Sequence, residues 1–181
     1  MVIGNLIMEK MVLRIFEREV ERQCRFSLMA VEELKQALSA HDMDGIWYSI
    51  QAFLIATGNV SKLLYPPDKH FAKRGVELRK SLSVDDSSPL APRKFRNYFE
   101  HFDERLEDWA TSSERHNFAD SNVGPPNMIV GLDPGDYLRN FDPVNLIITF
   151  RGDTYHMKPI IDSIQTIWQK AEVEAQKPYF E

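Results

Sequence analysis

Arg96, Asn97 and His101 are the residues of this chain whose types and spacing could do chemistry together. They sit in the run Arg93-Lys94-Phe95-Arg96-Asn97-Tyr98-Phe99-Glu100-His101. An imidazole can accept or return a proton near neutral pH. A guanidinium can hold charge growing on phosphate oxygens, in a two-pronged way that lysine cannot match. An asparagine amide could orient the phosphate or fix the histidine tautomer. The set suits proton transfer from a ribose 2′-hydroxyl beside a phosphate and calls for no metal. Arg93, Lys94 and Glu100 complete the candidate binding set. Glu100 is an awkward member, because a carboxylate repels phosphate unless it pairs with Arg96 or Arg93 or serves to orient His101.

The spacing of large apolar residues predicts the element that carries the set. Phe95, Phe99, Phe102, Leu106 and Trp109 recur every four and three residues, the stripe of one α-helix face. Asn97 and His101 are then neighbours on the helix surface. Arg96 and His101 lie about 140° apart around the axis. One helix does not easily aim both at one small group, whereas two copies facing each other across a two-fold axis could. A plainer assignment is also open. Arg96 and Glu100 make an ordinary i,i+4 ion pair, and Asn97 and His101 a hydrogen-bonded pair at a helix contact.

The order Arg96-Asn97-x-x-x-His101 resembles the signature of the HEPN family (higher eukaryotes and prokaryotes nucleotide-binding domains). The run Asn59-Val60-Ser61-Lys62-Leu63-Leu64-Tyr65-Pro66 also looks like the second core helix of that family, and the resemblance covers about residues 1–112. It implies a mainly α, HEPN-like up-and-down helical bundle, here with a small appended β-hairpin and a C-terminal helix. It further implies a metal-independent endoribonuclease, a toxin or defence component, acting at a composite site in a homodimer. His101 would be the acid–base group, Arg96 the phosphate clamp and Asn97 the positioning residue. RNA is the implied substrate, an antitoxin the implied partner of a toxin, and no cofactor or metal is called for. The alternative is a non-catalytic dimeric interaction or nucleotide-binding module, since some family members keep the fold without activity.

The elements that must position these residues are read from pattern. From Leu6 to Ala40 the apolar positions (among them Met8, Val12, Ile15, Phe16, Val20, Leu34 and Leu38) predict one or two long helices. Arg14, Arg18, Arg22 and Arg25 alternate with Glu17, Glu19 and Glu21, which predicts surface pairing more than a basic stripe. His41 to Gly45 breaks the pattern, with Asp42 or Asp44 as helix cap. Residues 45–64 predict a strong second helix, ended by Pro66-Pro67. A shorter one is expected over 68–82. Ser87 or Ser88 before Pro89 reads as the start of the motif helix, with Pro92 a second possible start. After residue 112 come proline- and glycine-rich turns, in which Met128-Ile129-Val130 reads as a short strand. Leu146–Phe150 and Thr154–Met157 predict a hairpin around Gly152-Asp153. Pro159 opens a last helix with Ile160, Ile161, Ile164, Ile167, Trp168 and Ala171 on its apolar face. The expected organisation is a bundle over 1–112, with 113–181 packed on it.

Composition sets wider bounds. With 181 residues, 43% hydrophobic and 27% charged, the chain can build a core without staples. One cysteine, Cys24, excludes an intrachain disulfide and a cysteine-based zinc site. A net charge of −5 opposes a broad nucleic-acid-binding surface. It leaves room for a local one between Lys69 and Arg96, where eight basic residues gather. The apolar start is broken by Glu9 and Lys10, a poor signal peptide. With no stretch that reads as a membrane span, a cytoplasmic location is expected.

Overall fold

The computed structural model describes residues 2–92, 101–112, 116–125 and 128–179, the side chains of 2–9 excepted. It is mainly helical, with a small four-stranded sheet and a C-terminal helix. The chain forms two compact units, one of residues 1–93 and 161–181, the other of residues 94–160.

The first unit is built on a helical hairpin. Helix α1 runs Val2–Ala40, a single element of 39 residues, and α2 runs Met43–Leu64. They are antiparallel, because Ser27 meets Thr57 at 3.2 Å and Asn59 donates to Gln23 at 3.2 Å. The turn between them is two residues long. His41 takes a left-handed backbone (φ 56°). Its amide returns to the Leu38 carbonyl and that of Asp42 to Ala37, closing the helix end. The Asp42 carboxylate then accepts from the Gly45 amide and caps α2. His41 and Asp42 are therefore turn residues.

The buried face of α1 includes Val20, Cys24, Ala30 and Leu34, together with Glu17 and Ser27. It is rotated from the expected face, for Val12 and Ile15 are exposed. In α2 the core residues include Ile46, Ile50, Phe53, Leu54, Val60 and Leu64. A 3₁₀ turn (Lys69–Phe71) leads into α3, Ala72–Ser81. Gly75 lets α3 approach the end of α2. A Cβ there would lie 2.9 Å from the Leu64 carbonyl oxygen and 2.5 Å from Pro66 Cδ. Pro89-Leu90 forms a turn, not the expected helix start. Ser61 holds it by donating to the Leu90 carbonyl at 2.7 Å.

The last helix, labelled α5 here, runs Met157–Ala175 and starts two residues before Pro159. In the first unit it turns Ile164, Ile167 and Ala171 inward. Arg14 and Arg18 of α1 close its far end. Arg14 donates to the Glu174 carbonyl at 2.8 Å and Arg18 to that of Ala175 at 3.0 Å. Two cations thus sit where the helix dipole is negative. Arg14 also pairs at 2.5 Å with Glu17, which is 1% exposed and accepts a further bond from the Ser81 hydroxyl. Arg22 and Arg25 pair with Glu19 and Glu21 as expected, but Arg14 and Arg18 bind the closing helix.

The second unit carries α4, Phe102–Ser112, and the sheet. Its strands are β1 (Asn122–Val123), β2 (Arg139–Asp142), β3 (Ile147–Phe150) and β4 (Asp153–His156), in the order β1-β2-β3-β4. Strand β1 runs parallel to β2 and the other pairs are antiparallel. The expected hairpin is thus half of a larger sheet. Its turn also lies one residue earlier than expected. Arg151 and Gly152 both have positive φ, 45° and 83°, and Phe150 is paired with Asp153. This is the mirror-image turn that suits the twist of two strands. Ile129 and Val130 lie in a bend and turn, not a strand. Buried Asn140 is satisfied at both ends of its amide, by Asn122 and by the Gly124 carbonyl.

Candidate functional site

Of the candidate residues, His101 is described; Arg93, Lys94, Arg96, Asn97 and Glu100 lie outside the described residues. So do the first two members of the predicted apolar stripe, Phe95 and Phe99. His101 stands at the head of α4. Its carbonyl accepts the Arg105 amide at 3.2 Å, the first helical bond of that element.

The helix is anchored by its next residues. Phe102 and Trp109 pack with Leu138, Phe150 and Tyr155. The Trp109 indole donates to the Asp136 carbonyl at 3.2 Å. Leu106 is 40% exposed, so the inward face runs Phe102, Arg105, Trp109 and departs from the predicted stripe. Two anchors one and eight residues after His101 fix the direction from which the imidazole is presented, while the ring itself stays half exposed.

The histidine has a carboxylate partner that sequence reasoning overlooked. His101 Nδ1 lies 3.3 Å from Glu104 Oε1. The i,i+3 spacing of His101 and Glu104 is the sequence signal for it. With the proton on Nδ1 directed at Glu104, Nε2 carries the lone pair that can accept a proton. A carboxylate that orients an imidazole and stabilises its cation serves acid–base chemistry. The surroundings are acidic: Asp103, Glu104, Glu107 and Asp108 share α4. Two of the unit's described arginines are engaged. Arg139 grips Asp120 with two nitrogens and lies 5.2 Å from the Phe102 ring centre. Arg151 donates to Ser112 and lies 3.8 Å from Asp108. Burial raises the Asp120 carboxyl, but the bonds and charge of Arg139, together with bonds from Ser121, outweigh it and hold the group below its ordinary value.

No family model, no curated protein and no solved structure matches this chain.

Cys24 and two arginines of the basic region serve the structure of the first unit. Cys24 is fully buried; burial, then the charge of Glu21, drive its thiol far above the ordinary range, so it is no nucleophile. In the basic region, Arg79 donates to the Leu64 carbonyl at 2.6 Å and pairs with Asp86. Arg74 stacks 4.6 Å from the Phe16 ring centre. Both are committed to packing the first unit. Among the described residues no group of three or more His, Cys, Asp or Glu is placed to hold a metal ion. No described helix is long and apolar enough to cross a membrane.

Proposed function

We propose that this chain is a metal-independent endoribonuclease of HEPN type, acting at a composite site between two copies. The observation that carries the reading is the order Arg96-Asn97-x-x-x-His101, supported by the Nδ1 contact of His101 with Glu104. In this reading His101 takes the proton of a ribose 2′-hydroxyl through Nε2. The hydroxyl oxygen bonds to phosphorus, the bond from phosphorus to the 5′-oxygen breaks, and the proton passes to that leaving oxygen. The products are a 2′,3′-cyclic phosphate and a 5′-hydroxyl. Arg96 holds the phosphate charge and Asn97 positions it. Such an enzyme would serve as a toxin or defence component in the cytoplasm, restrained by an antitoxin.

The acidic residues beside His101 favour a second reading, a non-catalytic dimeric interaction module in which the same polar face is an interface network. RNA cleavage in EDTA separates the two. The expected result is cutting by wild type, with cyclic-phosphate ends, and a loss of about 100-fold or more in His101→Ala. The variant must keep its helical circular dichroism and its mass in solution. No cutting by wild type, with assembly weakened in His101→Ala, would replace the ribonuclease by the interaction module.

A further inference from the structure

We infer that α1 binds a second copy of itself, antiparallel, across a two-fold axis beside residues 20 and 21. The inference concerns the first unit and stands apart from the ribonuclease reading. Along the face of α1 turned away from its core run Val12, Ile15, Glu19, Arg22, Phe26 and Met29. Their spacing is three, four, three, four, three, a strict heptad seam. The apolar members are 42–53% exposed. The Glu19 and Arg22 side chains are 35% and 54% exposed. A long helix that buries one stripe in its own hairpin normally keeps the opposite stripe polar. Here four large apolar residues remain outside.

The order of the stripe names the occupant. Read from either end it is apolar, apolar, charged, charged, apolar, apolar. Laid antiparallel on its own copy, Val12 faces Met29, Ile15 faces Phe26 and Glu19 faces Arg22. Each pair recurs by symmetry, as a two-fold interface requires. Every layer is then apolar on apolar or acid on base. The layers pair an a position with a d position, the arrangement of an antiparallel coiled coil. In the single chain Glu19 and Arg22 bind each other at 2.9 Å. In the pair the same groups form a four-charge cluster at the centre. A parallel pairing would instead set Glu19 on Glu19 and Arg22 on Arg22, which repel.

The stripe spans about 26 Å of helix. Asn59 of α2 flanks it by donating to Gln23.

The test is a charge swap read by light scattering on the full chain. Wild type is expected at twice the chain mass. Glu19→Arg or Arg22→Glu alone sets like charges together and should raise the dimer dissociation constant by tenfold or more. The double variant restores an opposite pair in each layer and should return the dimer. Register is read by mixing Ile15→Cys and Phe26→Cys chains in a Cys24→Ala background. The mixture should cross-link on oxidation while either variant alone does not. A monomeric wild type, or a dimer indifferent to both single swaps, would overturn the inference. So would cross-linking of Ile15→Cys to itself. A monomeric wild type would also remove the composite site of the ribonuclease reading, whereas the swap and cross-linking results concern α1 alone and are read apart from RNA cleavage, which His101→Ala tests.

Discussion

The two units of this molecule are held together in different ways, and glycine shows the difference most directly. In the helical unit Gly75 is required for space: its own backbone is helical, but the Leu64 carbonyl and Pro66 leave no room for a methyl group. In the sheet unit Gly152 is required for its dihedral angle: nothing lies within 4 Å of a Cβ built there, yet φ is 83°. One unit is limited by the close approach of neighbouring elements, the other by local backbone geometry. Ion pairs divide the same way. Arg14 and Glu17 are nearly buried and tie α1 to α3 and to α5. Arg139 and Asp120 form a two-pronged pair at a partly wet sheet edge.

The comparison can be broken at its strongest point first. Arg14→Ala leaves the Glu17 carboxylate buried without its cation, and should cost about 3–5 kcal/mol in urea unfolding. Adding Glu17→Leu should recover much of that loss, because the charge goes with its partner. If the single variant is nearly neutral, the buried pair does not organise the unit.

The glycines come next. Gly75→Ala should cost about 1–3 kcal/mol by overpacking. Gly152→Ala should cost about 1–2 kcal/mol by forcing a left-handed backbone on an L-residue. Asparagine separates the causes. Gly152→Asn should be tolerated far better than Gly152→Ala, since asparagine accepts positive φ, while Gly75→Asn should be worse than Gly75→Ala.

The smallest effect is at Asp120. Its carboxyl is held below the ordinary value by Arg139, although burial acts the other way. Its contribution is therefore full above the unfolded value of about 3.9 and is lost as pH falls through the lower folded value. For a partly exposed pair this amounts to about 1 kcal/mol or less. Melting curves of wild type and Asp120→Asn should differ at pH 6 and converge near pH 2. A constant gap would assign the stabilisation to hydrogen bonding alone.

The same division explains what could be read from the sequence. Helices α1, α2 and α5 announce themselves because an apolar period repeated over many turns has one explanation. A cap at Asp42 or Asp44 is legible from residue type, and the structure selects Asp42. Strands β1 and β2 were not. One has two residues, and the other buries Asn140 through bonds to Asn122 and Gly124 that no local pattern predicts. The hairpin turn was misplaced by one residue because Arg151, an unusual choice for positive φ, takes the place where asparagine is expected. Arg74 and Arg79 looked like a basic surface and are packing residues, since their partners lie on other elements or at their ends. At the candidate site only His101 is described, and its Glu104 neighbour could have been read from the i,i+3 spacing. The helical stripe beyond it was only partly right, as Leu106 faces outward and Arg105 inward.

The arginine clasp between α1 and the far end of α5 bears on how the chain is made. During synthesis α1 emerges early, and Arg14 and Arg18 have their carbonyl partners some 160 residues later. The whole of the sheet unit must leave the ribosome before those partners appear. Until then α1 can fold back on α2 and α3, with the surface that receives α5 uncovered. Closing a contact of such sequence separation is slow. The nascent chain thus passes through a stage in which a long amphipathic helix is exposed, the stage at which a chaperone or a neighbouring nascent chain would find it.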